Sequence, residues 1–153
     1  MTDLIDTVQE EIRGVLAKVD REQVSGFATR LYDAGHVLVT GEGRSGFMAR
    51  AFAMRLMHLG LSVHVVGETT TPAVKDTDTL VAVSGSGTTA GTVRVAQKGH
   101  ELGAQVLAVT TDPDSPLARS AHHVLVLPAA TKYRRADEAA TIQPLSRDRK
   151  SVV

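Results

Sequence analysis

Five short runs rich in β-branched residues, separated by helical patterns, constrain the fold more than any other feature of this chain. Their residues are near-continuously apolar rather than alternating, which is typical of strands covered on both faces. Strand–helix–strand alternation implies right-handed crossovers and a parallel sheet. The sequence therefore predicts an α/β fold, a three-layer sandwich around a five-stranded parallel sheet, with strands at His36–Thr40, Ser62–Val66, Thr79–Ser84, Gln105–Thr110 and His122–Leu127.

Helical patterns precede the first strand and connect most of the later ones. Apolar residues spaced three and four apart predict an amphipathic helix over residues 3–19. Asp20 is placed to cap a second helix, with Gln23 at the reciprocal position of a capping box, and Gly35 suits a left-handed helix end. Three further helices are predicted, at Phe47–Leu59, at Thr89–Leu102 and, in a short form, from Ser115-Pro116.

Composition excludes several classes of function. The chain has 153 residues, of which 42% are apolar, as expected for one globular domain. Its 17 basic and 17 acidic residues balance, so we expect no nucleic-acid partner and no membrane partner. Without Cys there is no disulfide and no thiolate metal site, and His122-His123 alternates faces on a strand, so we expect no metal. An acidic, polar start and the lack of an apolar run of ~18 residues predict a cytoplasmic protein.

Two glycine- and hydroxyl-rich segments follow predicted strands and lead into predicted helices. They are Thr40–Gly46 and Ser84–Thr89, and in a parallel sheet both lie at the carboxyl edge, where such folds bind ligands. Free N–H groups at the start of a helix favour anions, and glycines allow close backbone approach. The pattern therefore indicates a phosphate site, with glycines and hydroxyls at Gly41, Gly43, Gly85, Gly87, Ser45, Ser84, Ser86, Thr88 and Thr89.

The same residues leave other interpretations open. Each segment is also compatible with a tight turn that only caps a helix. Gly41, Gly43 and Gly46 match G-x-G-x-x-G, and Glu68 stands about 20 residues later, so a dinucleotide-binding fold is a rival. The second hydroxyl-rich segment argues against that rival, because a dinucleotide fold does not require one. A P-loop fits worse, since no Lys ends either segment.

The two segments and their surroundings resemble the sugar isomerase (SIS) domain. Ser84-Gly-Ser-Gly-Thr-Thr89 and the Gly-Arg-Ser at 43–45 carry this likeness. More narrowly, GEGRSGFMARAFAMRLMHLG at 41–60 and VVGETTTPAV at 65–74 are similar to the 6-phospho-3-hexuloisomerase family. The resemblance covers residues 1–145 and implies a flavodoxin-like SIS domain that interconverts arabino-3-hexulose 6-phosphate and fructose 6-phosphate in the ribulose monophosphate pathway of formaldehyde fixation. It implies no metal or redox cofactor, and a homo-oligomer, typically a tetramer.

The resemblance also implies roles for individual residues. It matches Ser45, Ser84, Ser86 and Thr89 to phosphate-binding hydroxyls and His58 to the candidate catalytic histidine. A neutral imidazole suits the proton transfers of an enediolate mechanism. The neighbouring positions are expected to complete the substrate-binding set: Gly43, Arg44, Gly85 and Thr88.

Several candidate residues have a simpler interpretation. From its position on a predicted helix alone, His58 is interpreted as a packed or capping residue. Arg44 is likewise compatible with an exposed loop residue. Glu42 and Glu68 lie in loops at strand ends, where a position facing the pocket is open to either, although loop carboxylates are usually solvated. Three methionines of this helix are interpreted as core or subunit interface: Met48, Met54 and Met57.

The resemblance breaks after Leu145. Members of the family continue into a long final helix with a Glu regarded as the catalytic base, whereas here the residues that follow are Ser-Arg-Asp-Arg-Lys-Ser-Val-Val. We expect residues 1–145 to form the SIS domain and 146–153 an atypical, disordered tail. Truncation or a frameshift is the favoured origin of this tail, and a natural short tail is the alternative. The alternative functions are a sugar-phosphate-binding module without activity, or with impaired activity, and an isomerase of another phosphosugar such as arabinose 5-phosphate.

Overall fold

The computed structural model describes residues 3–131 and 141–142 of the chain. Within them the helices are α1 Leu4–Ala17, α2 Arg21–Tyr32, α3 Gly43–His58, α4 Ala90–Glu101 and α5 Pro116–Arg119. The strands are β1 Val37–Gly41, β2 Val63–Val65, β3 Thr79–Val83, β4 Gln105–Thr110 and β5 His123–Val126. The expected domain boundary after residue 145 and the expected tail at 146–153 lie outside the described residues.

The strands form one parallel sheet in the order β2-β1-β3-β4-β5. Helix α3 connects β1 to β2 at one edge, whereas α4 and α5 connect β3, β4 and β5 toward the other edge. Because β1 and β3 are neighbours, the sheet grows in opposite directions from the space between them, which is its topological switch point. The predicted five-stranded parallel sheet is confirmed.

The central strands are buried on both faces because successive side chains point to opposite cores. Val39 of β1 packs with Leu31 of α2 and Leu56 of α3 on one face. Its neighbour Leu38 packs with residues of α4 and with Leu117 of α5 on the other face. Helices therefore cover both sides of the sheet, and the predicted three-layer sandwich is confirmed.

Most predicted helix ends are confirmed, but two details of α2 are wrong. Asp20 caps this helix by accepting a 2.8 Å backbone hydrogen bond through Oδ1. Gln23 does not complete a capping box, because its Oε1 accepts a hydrogen bond from the backbone N–H of Val126 at 2.9 Å, where α2 packs against β5. Gly35 does not adopt a left-handed conformation, since α2 already ends at Tyr32 with a right-handed cap residue.

Helix α3 begins at Gly43 rather than at Phe47 as the hydrophobic pattern predicts. The carbonyl of Glu42 accepts a hydrogen bond from the N–H of Gly46 at 3.1 Å, which closes the first helical turn. Gly43 has φ +57°, a conformation that glycine adopts at little cost. The Gly-Arg-Ser segment at 43–45 is therefore the first turn of a helix, not a free loop.

Two helices expose apolar faces. The predicted stripe of α1 faces outward, since no residue of this helix is buried. On α3, Phe47 and Met54 are 68% and 50% exposed, and at helical spacing they share a face with Ala51 and His58. The methionines of α3 thus belong to a surface rather than to the core. Within the described residues, no helix is both long and apolar enough to cross a membrane.

Candidate phosphosugar site

The two glycine-rich segments lie side by side at the switch point of the sheet. The register of β1 and β3 pairs Gly41 with Val83, the last residue of each strand. Glu42 and Ser84 therefore follow neighbouring strand ends. This confirms the expected geometry, in which both segments reach one crevice at the carboxyl edge.

Hydrogen bonds among its own hydroxyls shape the turn at residues 84–89. The buried Oγ of Ser84 lies 2.9 Å from Oγ1 of Thr89 and accepts a hydrogen bond from the N–H of Gly87 at 3.1 Å. The Oγ1 of Thr88 donates to Oγ of Ser86 at 2.9 Å. These bonds hold four hydroxyl groups in one short segment.

Residues at the end of β4 and at the start of α5 pack against this turn. The carbonyl of Gly85 accepts hydrogen bonds from the hydroxyl of Thr111 at 2.7 Å and from its backbone N–H at 3.0 Å, just beyond β4. Gly87 has φ +66°, and a Cβ at this position would overlap the side chain of Ser115, which caps α5. Glycine is thus required here both by the dihedral angle and by the close approach of α5.

Helix α4 starts with an open first turn next to these hydroxyls. Thr89 is its N-cap residue, yet its side chain makes no capping hydrogen bond because Oγ1 is paired with Ser84. Within the described residues, the backbone N–H groups of Ala90, Gly91 and Thr92 have no acceptor. Unsatisfied N–H groups at the positive end of a helix favour an anion, so the turn and α4 together suit a phosphate.

Helix α3 forms the other wall of the crevice. Gly41 and Gly46 lie so close that a Cβ on Gly46 would stand 2.7 Å from the carbonyl oxygen of Gly41. This approach brings the first turn of α3 against the end of β1, with Ser45 partly buried and Arg44 exposed. The structure therefore brings Gly43, Arg44 and Ser45 to the same edge as the turn at residues 84–89.

His58 lies at the opposite end of α3. It lies thirteen positions after Ser45, and at 1.5 Å per residue this is about 20 Å along the helix. It is exposed, and its Nδ1 lies 3.4 Å from Nη1 of Arg55. Within one chain the fold does not bring this histidine to the hydroxyl-rich turn.

The carboxylates at strand ends differ in their surroundings. Glu68 lies 3.7 Å from Arg50 in an exposed ion pair. Glu42 instead extends from the end of β1 toward α4, where its Oε1 occupies the space that a Cβ of Gly91 would fill. Both carboxylates are exposed, as expected for residues at strand ends, and Gly91 in the first turn of α4 leaves the room in which the side chain of Glu42 lies against that helix.

Further titratable groups cluster at the amino edge of the sheet, away from this crevice. Nε2 of His36 lies 2.8 Å from Nδ1 of His64, and Nδ1 of His36 lies 3.1 Å from the buried carboxylate of Asp78. His122 stacks on His100 with ring centres 4.4 Å apart, and burial, aided by the charge of His100, lowers the pKa of His122. None of the described residues forms a group of three or more side chains suited to a metal ion.

Comparison with known proteins agrees with this geometry. Residues 30–143 match the family model described as SIS domain. The chain is 49% identical over 132 residues to the 3-hexulose-6-phosphate isomerase of Mycobacterium gastri, covering 86% of this chain and 66% of that protein's length. It is 33% identical over 144 residues to the protein of the same name from Bacillus subtilis, covering 94% of this chain and 78% of the relative.

A solved structure supports the same assignment. A protein from Methanococcus jannaschii, for which the crystal structure led to an inferred function of 3-hexulose-6-phosphate isomerase, matches with a TM-score of 0.73 and 32% identity. The match covers 84% of this chain and 75% of that one. The chain therefore belongs to the SIS domain family, in the branch that contains the 3-hexulose-6-phosphate isomerases.

Proposed function

We propose that this protein is an isomerase that interconverts arabino-3-hexulose 6-phosphate and fructose 6-phosphate through an enediolate. The observation that carries the proposal is the hydroxyl-lined turn at residues 84–89 beside the open first turn of α4. This arrangement suits a phosphate monoester, and the isomerase names of the relatives indicate which sugar bears it. In this proposal the protein acts as a homotetramer in the ribulose monophosphate pathway.

Phosphate anchoring is the first task of the site. The N–H groups that open α4 face the anion, while the hydroxyl of Ser86 donates to one of its oxygens and Thr88 orients that hydroxyl by donating to Oγ of Ser86. Ser84 and Thr89 hold the turn in place, and Ser45 approaches from the first turn of α3. An anchored phosphate fixes the sugar carbons against the reacting groups, which removes much of the entropic cost of reaction.

Moving the carbonyl from C3 to C2 then requires two proton transfers at carbon and two at oxygen. A base removes the proton from C2, the enediolate forms, and a proton is added at C3. A neutral imidazole is suited to moving the proton between the two oxygens near pH 7. We assign this second role to His58.

Because His58 is about 20 Å from Ser45 along α3, we place it in the site of a second copy. Phe47, Ala51, Met54 and His58 share one helical face, and Phe47 and Met54 are exposed. When two α3 helices pack antiparallel around Ala51, each His58 lies beside the first turn of the other helix. Such an isologous contact also covers the exposed apolar side chains.

The test compares Ser86→Ala with the matched control Ser25→Ala, an exposed serine of α2 whose side chain makes no hydrogen bond to the part of the chain that the structure describes. Arabino-3-hexulose 6-phosphate is generated enzymatically from formaldehyde and ribulose 5-phosphate, and fructose 6-phosphate is measured by a coupled NADPH assay. Losing a hydrogen bond to a charged group costs about 1.5–3 kcal/mol, so we expect Ser86→Ala to raise KM by about 10-fold or more. Ser25→Ala should behave as the unaltered protein. Absence of fructose 6-phosphate with the unaltered chain contradicts the proposal.

A non-catalytic sugar-phosphate-binding module is the second candidate function. The position of His58, remote from the turn in its own chain, is the observation that favours it. It predicts calorimetric binding of fructose 6-phosphate that weakens in Ser86→Ala, without turnover in any variant. Turnover of arabinose 5-phosphate in place of the hexulose would instead indicate an isomerase of another phosphosugar.

A further inference from the structure

Helix α1 exposes a continuous apolar face. Its large apolar side chains lie three and four residues apart, so they form one stripe along the helix. Five of them are 41–65% exposed: Leu4, Ile5, Val8, Ile12 and Leu16. A helix of 14 residues is only marginally stable in water on its own, and no residue of α1 is buried. The stripe therefore indicates a surface that packs against a partner.

The described chain contacts α1 at the polar flank of this stripe. The carboxylate of Glu11 accepts hydrogen bonds from the hydroxyl of Thr141 at 2.6 Å and from the N–H of Ile142 at 2.8 Å. The sequence on either side of this pair, at 132–140 and 143–153, is mostly polar and charged. Its large apolar and aromatic residues are Tyr133, Leu145, Val152 and Val153. These residues are too few to cover the stripe, which favours an occupant from outside the chain.

Charge on α1 is separated along the helix. Acidic residues lie in its N-terminal half and basic residues toward its C-terminal end. The acidic residues are Asp3, Asp6, Glu10 and Glu11, and the basic residues are Arg13 and Lys18. An antiparallel pair of α1 helices places the acidic half of each beside the basic end of the other, whereas a parallel pair opposes like charges. A helix that binds an anionic membrane instead carries an excess of Lys and Arg, which α1 lacks.

The shape of this surface is also self-complementary. An open groove of about 460 Å³ lies along the C-terminal half of α1 and the start of α2. It is lined by Gln9, Ile12, Arg13, Leu16, Ala17 and Arg21. The two apolar side chains at the other end of α1, Leu4 and Ile5, are 65% and 64% exposed. An antiparallel arrangement about Ile12 brings these two side chains of one copy opposite the groove of the other.

We propose that α1 pairs antiparallel with α1 of a second copy of this chain, about a two-fold axis near Ile12. Such a contact is isologous, since each copy supplies the same surface. It is separate from the α3 contact of the proposed function and does not rest on the isomerase reaction. Two different isologous contacts on one chain are the arrangement found in tetramers of D2 symmetry.

The first experiment measures the mass of the full chain by sedimentation velocity. Ile12→Glu places two carboxylates at the two-fold axis, so we expect the mass of the assembly to fall by half at the same protein concentration. Gly14→Glu is the matched control, because it adds the same side chain on the opposite side of the helix, where a Cβ meets no atom within 4 Å. Its mass should equal that of the unaltered protein. Circular dichroism checks that both variants are folded, as expected when no residue of α1 is buried.

The second experiment tests the antiparallel orientation by disulfide formation, since the chain has no Cys of its own. A disulfide requires two Cα atoms within about 7 Å. Under mild oxidation Ile12→Cys should therefore form a covalent dimer. Leu4→Cys should not, because eight residues on each side of the axis separate the two copies of this position by about 24 Å along the helices.

Three results overturn the inference. The first is an Ile12→Glu protein with the mass of the unaltered protein. The second is a covalent dimer of Leu4→Cys that forms as readily as that of Ile12→Cys, which indicates a parallel pair. The third is an unaltered protein that is monomeric but binds phosphatidylcholine–phosphatidylglycerol vesicles, with binding lost in Ile12→Glu, which assigns the stripe to a membrane. Turnover is measured separately, so a failure of the proposed function is distinguished from a failure of this contact.

Discussion

Replacing Gly87 by alanine tests whether the turn at residues 84–89 is built around this glycine. Its φ of +66° costs an alanine about 1–2 kcal/mol. The added methyl would also overlap the side chain of Ser115 and lie 3.0 Å from Oγ1 of Thr110. Ser115 is 2% exposed and caps α5 through a 3.2 Å hydrogen bond from the N–H of Ala118, so it has no room to move away.

The two costs add to a measurable loss of stability. Displacing the cap of α5 contributes about 1 kcal/mol beyond the dihedral cost, so we expect the free energy of unfolding to fall by about 2–3 kcal/mol. At about 2–4 °C per kcal/mol for a chain of this size, Tm falls by roughly 4–12 °C. The turn itself shifts, so the affinity for fructose 6-phosphate should fall as well.

Urea unfolding followed by circular dichroism measures this change, since the chain has no Trp for fluorescence. Gly67→Ala is the matched control, because Gly67 has φ +90° but no atom within 4 Å of an added Cβ. It should show the dihedral cost alone and leave phosphosugar binding intact. If the two variants lose the same stability within about 0.5 kcal/mol, the overlap with Ser115 has no energetic consequence and the reasoning fails.

Two further outcomes are expected. The pKa of His122 is lowered in the folded protein. The contribution of its neutral imidazole to the free energy of unfolding is therefore fully present above the unfolded pKa, and it is lost as pH falls through the folded pKa. The unfolding free energy should therefore decrease more between pH 7.5 and 5.5 in the unaltered protein than in His122→Gln, and equal decreases would refute this. If His58 acts in the site of a second copy, mixing His58→Ala with Ser86→Ala protein and allowing subunit exchange should raise activity above that of either variant alone. If the mixed sample shows only the summed activities of the two variants, His58 does not act in the site of a second copy.

Local patterns in the sequence were sufficient for most of the secondary structure and for the position of the hydroxyl-rich turn at residues 84–89. The apolar runs identified the five strands that the structure describes, because burial on both faces makes a strand apolar throughout, whichever strands lie beside it. The start of α3 was misplaced, since Gly43 and Ser45 resemble loop residues while the helical bond from Gly46 to Glu42 forms only in three dimensions. Gln23 shows the same effect, because a strand distant in sequence competes for its side chain.

The sequence by itself determined the α/β class, the parallel sheet and the hydroxyl-rich turn at residues 84–89, because periodicity, glycines and helix caps act over a few residues. Only the tertiary structure decided which side chains share a site. The length of α3 separates His58 from Ser45 by about 20 Å, and the pairing of β1 with β3 brings Glu42 against Gly91. Both relations depend on strand order and register, which join residues far apart in the chain and leave no local pattern.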